Sequence, residues 1–185
     1  VGDMTDFFRC PILIFTAPRS GSSAVASALA EQGFWFGSVS QATAKYPMGT
    51  MENIHLDQCL RAMSSIYADD EGVGQLCPKP QHDITPTYRK LLEHDGYMGQ
   101  PWLFKTNILR RDQLLHFWDA VRVTVRRDHD EVAQSISQKE GLSPNFAAKR
   151  VGRMGAEMDR MEAEGACRVY ISRVWSGDVE QLESF

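Results

Sequence analysis

Residues 16–34, TAPRSGSSAVASALAEQGF, place an arginine, a glycine and several hydroxyls directly after the apolar run ILIF. Where a buried strand turns into a helix at this point, the backbone N–H groups of Ser20 to Ser23 have no partners inside the new helix. Those groups and the helix dipole attract an anion, Gly21 lets a ligand approach the backbone, and Arg19 adds a charged donor. The stretch therefore predicts an anion-binding loop, with an ordinary serine-capped turn as the alternative.

Features that this loop lacks exclude one common class of anion-binding loop. A Walker A loop has the pattern G-x-x-x-x-G-K-[ST], in which the lysine reaches the terminal phosphates and the hydroxyl binds magnesium. Residues 16–34 contain no lysine, and their glycine spacing differs from that pattern. The sequence thus argues against ordinary ATP or GTP hydrolysis.

A second candidate anion site is formed by Arg127 and Ser135, which are eight residues apart. Arg127 ends a predicted strand, Asp128 can cap the following helix, and Ser135 falls in the second turn of that helix. We therefore expect both side chains to face one anion, and two anion sites suit a bisphosphorylated nucleotide. The alternatives are a surface ion pair for Arg127 and a solvated helix face for Ser135.

Three segments resemble the sulfotransferases that use 3′-phosphoadenosine 5′-phosphosulfate. PRSGSS is similar to the phosphosulfate loop P-R-S-G-[ST]-[ST]. VRVTVRRDHDEVAQSIS is similar to the strand and R-[DN]-P-x-[DE]-[VA]-x-x-S helix that hold the 3′-phosphate, although His129 replaces the proline. PWLFKTNILRRDQLLHFW resembles the central strand of the family, and Lys105 matches its lysine.

The resemblance covers roughly residues 11–138. It implies a P-loop-like α/β domain with three layers, in which a central parallel sheet is flanked by helices. It also implies that 3′-phosphoadenosine 5′-phosphosulfate is the donor. The residues implied to bind this donor are Arg19, Ser20, Gly21, Ser22, Ser23, Arg127 and Ser135.

The sequence departs from the family at two further places. Asn107 occupies the position of the histidine that is the base in the cytosolic K-T-H class, and an amide cannot take a proton near neutral pH. The late R-K-G-x-x-G-D-W segment of cytosolic members has no counterpart beyond RVWSGDVEQLESF. The residues that contact adenine are therefore left undefined.

Sulfuryl transfer requires an in-line acceptor, a group that takes its proton, and cations where charge develops on the leaving phosphate. Arg19 and Lys105 are the cationic candidates. For the base we consider Glu52, which projects into the apolar stripe of a helix predicted at Met51 to Tyr67 and capped by Thr50. Glu52 resembles the glutamate of carbohydrate-type and many bacterial sulfotransferases; the alternative is a first-turn glutamate that complements the helix dipole. His55, at the stripe's edge, is the reserve candidate.

The elements that position these residues follow from alternating apolar and amphipathic runs. Strands are predicted at Ile12 to Thr16, Trp102 to Lys105, Val121 to Arg126 and Arg168 to Ser172. The other helices are predicted at Ser22 to Gln32, Pro86 to His94, Asp112 to Ala120, Asp130 to Lys139 and Asn145 to Glu164, with a short C-terminal piece. Strands separated by helices favour a parallel sheet with ligands at its carboxyl ends.

The stretch from Ser38 to Pro86 fits this scheme least well, since it contains one good helix followed by the turn formers DDEGVGQLCPKPQHD. We interpret it as a lid or substrate insertion, and a plain surface excursion is the alternative.

At the scale of the chain, 185 residues with 24 acidic and 20 basic side chains suit one domain over residues 1–185. The net charge of −4 gives no reason to expect a nucleic-acid partner. The sequence contains neither a membrane-length apolar stretch nor a signal peptide, which predicts a cytoplasmic protein. The histidine spacing matches no metal motif, so no metal site is expected.

The sequence therefore predicts a sulfotransferase that acts on a hydroxyl or amine of a small molecule or glycan. Two alternatives remain open, a small-molecule kinase that uses ATP and a non-catalytic nucleotide-binding module.

Overall fold

The structure is a computed structural model that describes residues 11–40, 49–66, 69–114, 117 and 120–171. Its strands are β1 (Ile12–Thr16), β2 (Leu103–Asn107), β3 (Val121–Arg126) and β4 (Cys167–Tyr170). Its α-helices are α1 (Ser22–Glu31), α2 (Ile54–Met63), α3 (Thr85–His94), α4 (His129–Glu140) and α5 (Pro144–Ala163). A 3-10 helix at Ile108–Leu114 follows β2 directly.

The strands form one parallel sheet in the order β2-β1-β3-β4. Strand β1 lies between β2 and β3, so that Ile12 pairs with Leu103 on one side and with Val121 on the other. All five of its residues are buried because both edges are hydrogen-bonded and both faces are covered. The predicted parallel α/β sheet flanked by helices is confirmed.

Two apolar clusters cover the two faces of the sheet and give three layers. Ile12 and Ile14 of β1 pack with Val25 and Leu29 of α1 on one face. Leu13, Phe15 and residues of α2, α3, α4 and α5 make up the cluster on the other face. The alternation along β1 follows from the two-residue period of a strand.

Several predicted boundaries are wrong, and the largest error lies after β2. Strand β2 extends to Asn107 because Thr106 and Asn107 pair with Phe15 and Thr16 of β1. The 3-10 helix Ile108–Leu114 then replaces the front of the predicted helix Asp112 to Ala120. Tyr67, Ser172 and the predicted C-terminal helix lie outside the described residues.

Helix α2 begins at Ile54, later than predicted, because its cap is Asn53 and not Thr50. Asn53 Oδ1 accepts a hydrogen bond from the backbone N–H of Leu56 at 3.0 Å. An asparagine at this position satisfies one of the donors that the first helical turn leaves unpaired. Glu52 therefore precedes the helix, and the prediction that it projects from a helical stripe is wrong.

The helices in the described part of the chain include no segment both long and apolar enough to cross a bilayer.

Candidate functional site

A cavity of about 780 Å³ opens at the carboxyl ends of β1 and β2, with Thr16 and Asn107 in its lining. Its lining contains ten charged side chains, of which seven are cationic and three are carboxylates. The cationic residues are Arg19, Arg61, Lys105, Arg110, Arg127, Lys139 and Arg150, and the carboxylates are Glu52, Asp57 and Glu140. The cavity is thus locally positive although the chain carries a net charge of −4.

The loop between β1 and α1 forms part of the cavity lining through Pro18, Arg19 and Gly21 to Ser23. Gly21 has φ 84° and precedes α1, whose first turn has no side-chain cap. In that turn the Ala24 N–H donates to the Gly21 carbonyl at 2.9 Å, so the N–H groups of Ser22 and Ser23 are the ones left for another acceptor. Arg19 also has a positive φ, 66°, a conformation that costs a non-glycine residue energy and that concentrates at functional sites.

Ser20 differs from the other loop residues because its side chain is used within the protein. It is buried, its Oγ contacts Thr16 Oγ1, and its N–H donates to the Ala17 carbonyl at 3.4 Å. Ser20 is also not part of the cavity lining, whereas Ser22 and Ser23 are. Ser20 therefore stabilises the conformation of the loop.

Arg127 and Ser135 both line the cavity, and Arg19 links them. Arg19 Nε donates to Ser135 Oγ at 3.4 Å, and Arg127 Nη1 donates to the Arg19 carbonyl at 3.4 Å. Asp128 caps α4 as expected, since Oδ1 accepts from the N–H groups of Asp130 and Glu131 at 3.0 Å. The loop and the predicted second anion site are therefore parts of one cavity.

Arg127, which lies between β3 and α4, also has a carboxylate partner in the first turn of α4. Its Nε donates to Glu131 Oε2 at 2.8 Å, and the Glu131 side chain is 58% exposed. An exposed pair of this kind contributes little energy, so an anion in the cavity can replace Glu131 at small cost.

Glu52 and Lys105 form an ion pair inside the cavity. Lys105 Nζ donates to Glu52 Oε1 at 3.0 Å, and the lysine side chain is only 6% exposed. Lys105 lies on β2, and Glu52 lies just before α2, so the pair joins the sheet to the segment around α2. A carboxylate held beside a lysine in a cavity can accept a proton while the lysine stabilises developing negative charge.

His55 is not part of the cavity lining. Its Nε2 lies 3.6 Å from Asp95 Oδ1, and its ring makes an edge-on contact with His94. Burial favours a higher pKa for Asp95, but hydrogen bonds from Ser38 and Asn53 and the nearby His55 outweigh it and lower this pKa. The structure therefore places Glu52, but not His55, beside Lys105.

Asn107, at the position where the K-T-H class has its histidine, has a structural role here. Its Oδ1 accepts a hydrogen bond from the N–H of Leu109 at 2.9 Å, which caps the 3-10 helix. The amide thus turns the chain from β2 into that helix.

The predicted insertion contributes to the cavity with its front half only. Thr50, Glu52, Asp57, Arg61 and Ile66 line the cavity, whereas no described residue between 69 and 86 does. Residues 69–74 instead follow the surface of α5, where Asp69 lies 3.3 Å from Arg153.

Several lining residues were missed by the sequence analysis, above all Arg110 and Arg150. Both are buried, and each sits beside another basic residue in the sequence, so local spacing does not distinguish them from a solvated arginine. Arg150 Nη1 donates to Glu140 Oε2 at 2.8 Å, and burial lowers the pKa of Arg150.

Comparison with protein-family models, with curated proteins and with solved structures found no match for this chain. A search of the described residues for metal sites found no group of three or more His, Cys, Asp or Glu side chains placed to hold an ion.

Proposed function

We propose that this protein is a sulfotransferase that transfers a sulfuryl group from 3′-phosphoadenosine 5′-phosphosulfate to a hydroxyl or amine of a small molecule or glycan. One observation carries the proposal. The three segments that resemble the family, around Arg19, Lys105 and Arg127, line one cavity although they are far apart in the sequence. Its volume of about 780 Å³ is in the range of small-molecule sites.

The donor carries negative charge at a 5′-phosphosulfate and at a 3′-phosphate. The open first turn of α1, Arg19 and the hydroxyls of Ser22 and Ser23 suit the first group, because backbone and charged donors converge there. Arg127 and Ser135 suit the second, because they follow β3 in the sequence and reach the cavity next to Arg19. Such an arrangement favours a nucleotide with two separate anionic groups over one with a single phosphate chain.

The transfer step needs a base and a cation next to each other, which is what Glu52 and Lys105 provide. The acceptor oxygen or nitrogen forms a bond to sulfur while the bond between sulfur and the 5′-phosphate oxygen breaks. Glu52 takes the acceptor proton, and Lys105 stabilises the charge that develops on the leaving oxygen. The products are the sulfated acceptor and adenosine 3′,5′-bisphosphate.

Calorimetry with adenosine 3′,5′-bisphosphate, ATP with magnesium, and inorganic phosphate tests the donor class. We expect tight binding of the bisphosphate, with loss of that binding in Arg19→Ala. Tight binding of magnesium-ATP alone would indicate a kinase instead. Binding of the bisphosphate without transfer of sulfate to any member of an acceptor panel would indicate a binding module.

Arg127 gives a sharper test, because it predicts selectivity between two nucleotides. Removing a charged partner from an anion typically lowers affinity about 10- to 150-fold. We expect Arg127→Ala to weaken adenosine 3′,5′-bisphosphate by this amount and to leave adenosine 5′-phosphate almost unaffected, with a smaller loss for Ser135→Ala.

The matched control is Glu131→Gln, which removes the carboxylate partner of Arg127 but keeps its guanidinium. This variant should bind the bisphosphate at least as well as the wild type. Equal losses for both nucleotides in Arg127→Ala would show that Arg127 supports the fold or the 5′ side and would contradict its assignment to the 3′-phosphate.

A further inference from the structure

Arg110 is a buried cation of the cavity whose hydrogen-bond partners are neutral. It is 4% exposed, and its Nη1 donates to the Ser64 carbonyl at 3.2 Å and to Gln113 Oε1 at 2.9 Å. Among the described residues no carboxylate lies within ion-pair distance of its guanidinium. A charge removed from water is normally compensated by a partner of opposite sign.

Four other cationic residues of the cavity differ from Arg110 in this respect. Arg61, Lys105, Arg127 and Arg150 each have a carboxylate partner, provided by Asp57, Glu52, Glu131 and Glu140. Burial is the largest influence on Arg110 and lowers its pKa, while Asp57 and Glu52 favour the charged form from farther away. A guanidinium nevertheless stays protonated in proteins, so its charge persists inside the cavity.

Thr106 provides a second, independent sign of a missing ligand. It lines the cavity, is 2% exposed, and its hydroxyl has no hydrogen-bond partner in the described structure. Buried hydroxyls are usually hydrogen-bonded, and those that are not need an explanation. Thr106 thus adds an unpaired hydroxyl at the end of β2, the part of the cavity where Arg110 offers its charge to a ligand.

The sheet order separates Arg110 from the residues assigned to the nucleotide. Arg110 follows β2, Arg127 follows β3, and β1 lies between these two strands. Arg110 contacts Ser64, which ends α2, and Ile66 lines the cavity nearby in the sequence. This side of the cavity is therefore the one left for the acceptor.

We propose that the acceptor carries an anionic group, a carboxylate, sulfate or phosphate, and that Arg110 binds it. The inference rests on the proposed function, since it assigns the acceptor side of that same site. Arg110 orients the acceptor by its charge while Glu52 and Lys105, on the same side of β1 as Arg110, act on the reacting hydroxyl or amine.

Binding of matched acceptor pairs to the full chain tests this assignment. One pair is 4-hydroxyphenylacetate and its amide, which represent a small acid. The other is a glucuronate-containing disaccharide and cellobiose, which represent an acidic glycan. Each is titrated by calorimetry with and without adenosine 3′,5′-bisphosphate, so that failure of the nucleotide to bind contradicts the proposed function without affecting the anion result.

We expect the wild type to bind the anionic member of at least one pair about 10-fold or more tightly than the neutral member. Arg110→Met should abolish this preference. The matched control is Arg111→Met, which removes the same charge from the next residue, outside the cavity lining, where Arg111 is surrounded by Asp112, Glu157 and Glu164. Arg111→Met should keep the preference.

A second variant covers the case in which Arg110→Met does not fold. Arg110→Gln keeps a donor for the Ser64 carbonyl but loses the charge, and it should lose the preference as well. The proposal is overturned if the wild type shows no preference in either pair, or if a folded variant without the Arg110 charge retains it.

Discussion

At the scale of single residues, Glu52 is the group to which the proposed function assigns the acceptor proton. Its carboxylate lies 3.0 Å from Lys105 Nζ, and it lines the cavity. Because the amide of glutamine keeps the size of the side chain but cannot take a proton, Glu52→Gln should lower turnover by roughly 100-fold or more. Donor affinity, measured by calorimetry with adenosine 3′,5′-bisphosphate, should be unchanged.

His55→Ala is the control for this prediction, since His55 lies beside Asp95 and outside the cavity lining. It should leave turnover near that of the wild type. If His55→Ala alone lowered turnover and Glu52→Gln did not, the role of base would pass to His55.

At the scale of elements, substitutions at the two ends of α1 can distinguish an effect on the proposed anion site from an effect on helix stability. Gly21 before the helix and Gly33 after it both have positive φ, 84° and 95°. Alanine at either position should cost about 1 kcal/mol of stability, because a side chain strains this conformation. Only Gly21→Ala adds a methyl group where a ligand approaches the first turn, so it alone should lower the affinity for adenosine 3′,5′-bisphosphate, on the order of 10-fold.

Urea unfolding and calorimetry on both variants check this prediction. A Cβ at Gly33 would meet no atom within 4 Å, so Gly33→Ala adds only the strain of a positive φ and serves as the control. Equal nucleotide affinity in the two variants would contradict an anion site at the start of α1.

The ends of a strand or helix could be predicted where the local sequence pattern sets them, but not where pairing with a distant strand does. The bounds of β1 and β3 were predicted correctly because both are short apolar or β-branched runs. Asparagine is depleted in strands, and Asn107 belongs to β2 because β1 offers it a backbone partner, with Thr106 paired one residue earlier. Thr50 and Asn53 are both good caps, and sequence alone could not choose between them.

The same limit applies to the candidate site. The loop residues and the Arg127 to Ser135 spacing could be recognised because each pattern is local. Arg110 could not be recognised, because the sequence does not show that Arg110 lines the cavity and that its neighbour Arg111 does not. That depends on the 3-10 helix Ile108–Leu114 after β2, whereas the sequence predicted only an α-helix that begins at Asp112.

At the scale of the whole molecule, Glu162 connects α5 to strands β3 and β4. Its carboxylate accepts hydrogen bonds from Thr124, from Arg126 Nε at 2.8 Å and from Arg168 Nε at 2.6 Å. Burial favours a higher pKa for Glu162, but the bonds from Arg126, Thr124 and Arg168 outweigh it and lower the pKa. We expect Glu162→Gln to lower the free energy of unfolding at pH 7 by about 1–3 kcal/mol.

The pH dependence follows from the direction of this shift. A carboxylate with a lowered pKa in the folded state stabilises the fold above its unfolded pKa of about 4.3, and this contribution is lost as the pH falls through the lower, folded value. The difference between wild type and Glu162→Gln in urea unfolding should therefore shrink in that acidic window. Glu164→Gln, a more exposed carboxylate two residues further on, is the control. A difference that stayed constant down to the lowest pH would contradict the role given to the Glu162 charge.

The central position of β1 has a consequence for how such a protein can change over evolutionary time. The groups on the β2 side, Glu52, Lys105 and Arg110, and those on the β3 side, Arg127 and Ser135, belong to different elements. Arg110 donates to Ser64 and Gln113, whereas Arg127 donates to Glu131 and Arg19, so a substitution at Arg110 acts on other neighbours than a substitution at Arg127. Substitutions can thus accumulate among the cavity residues on one side of β1 while the residues on the other side stay the same.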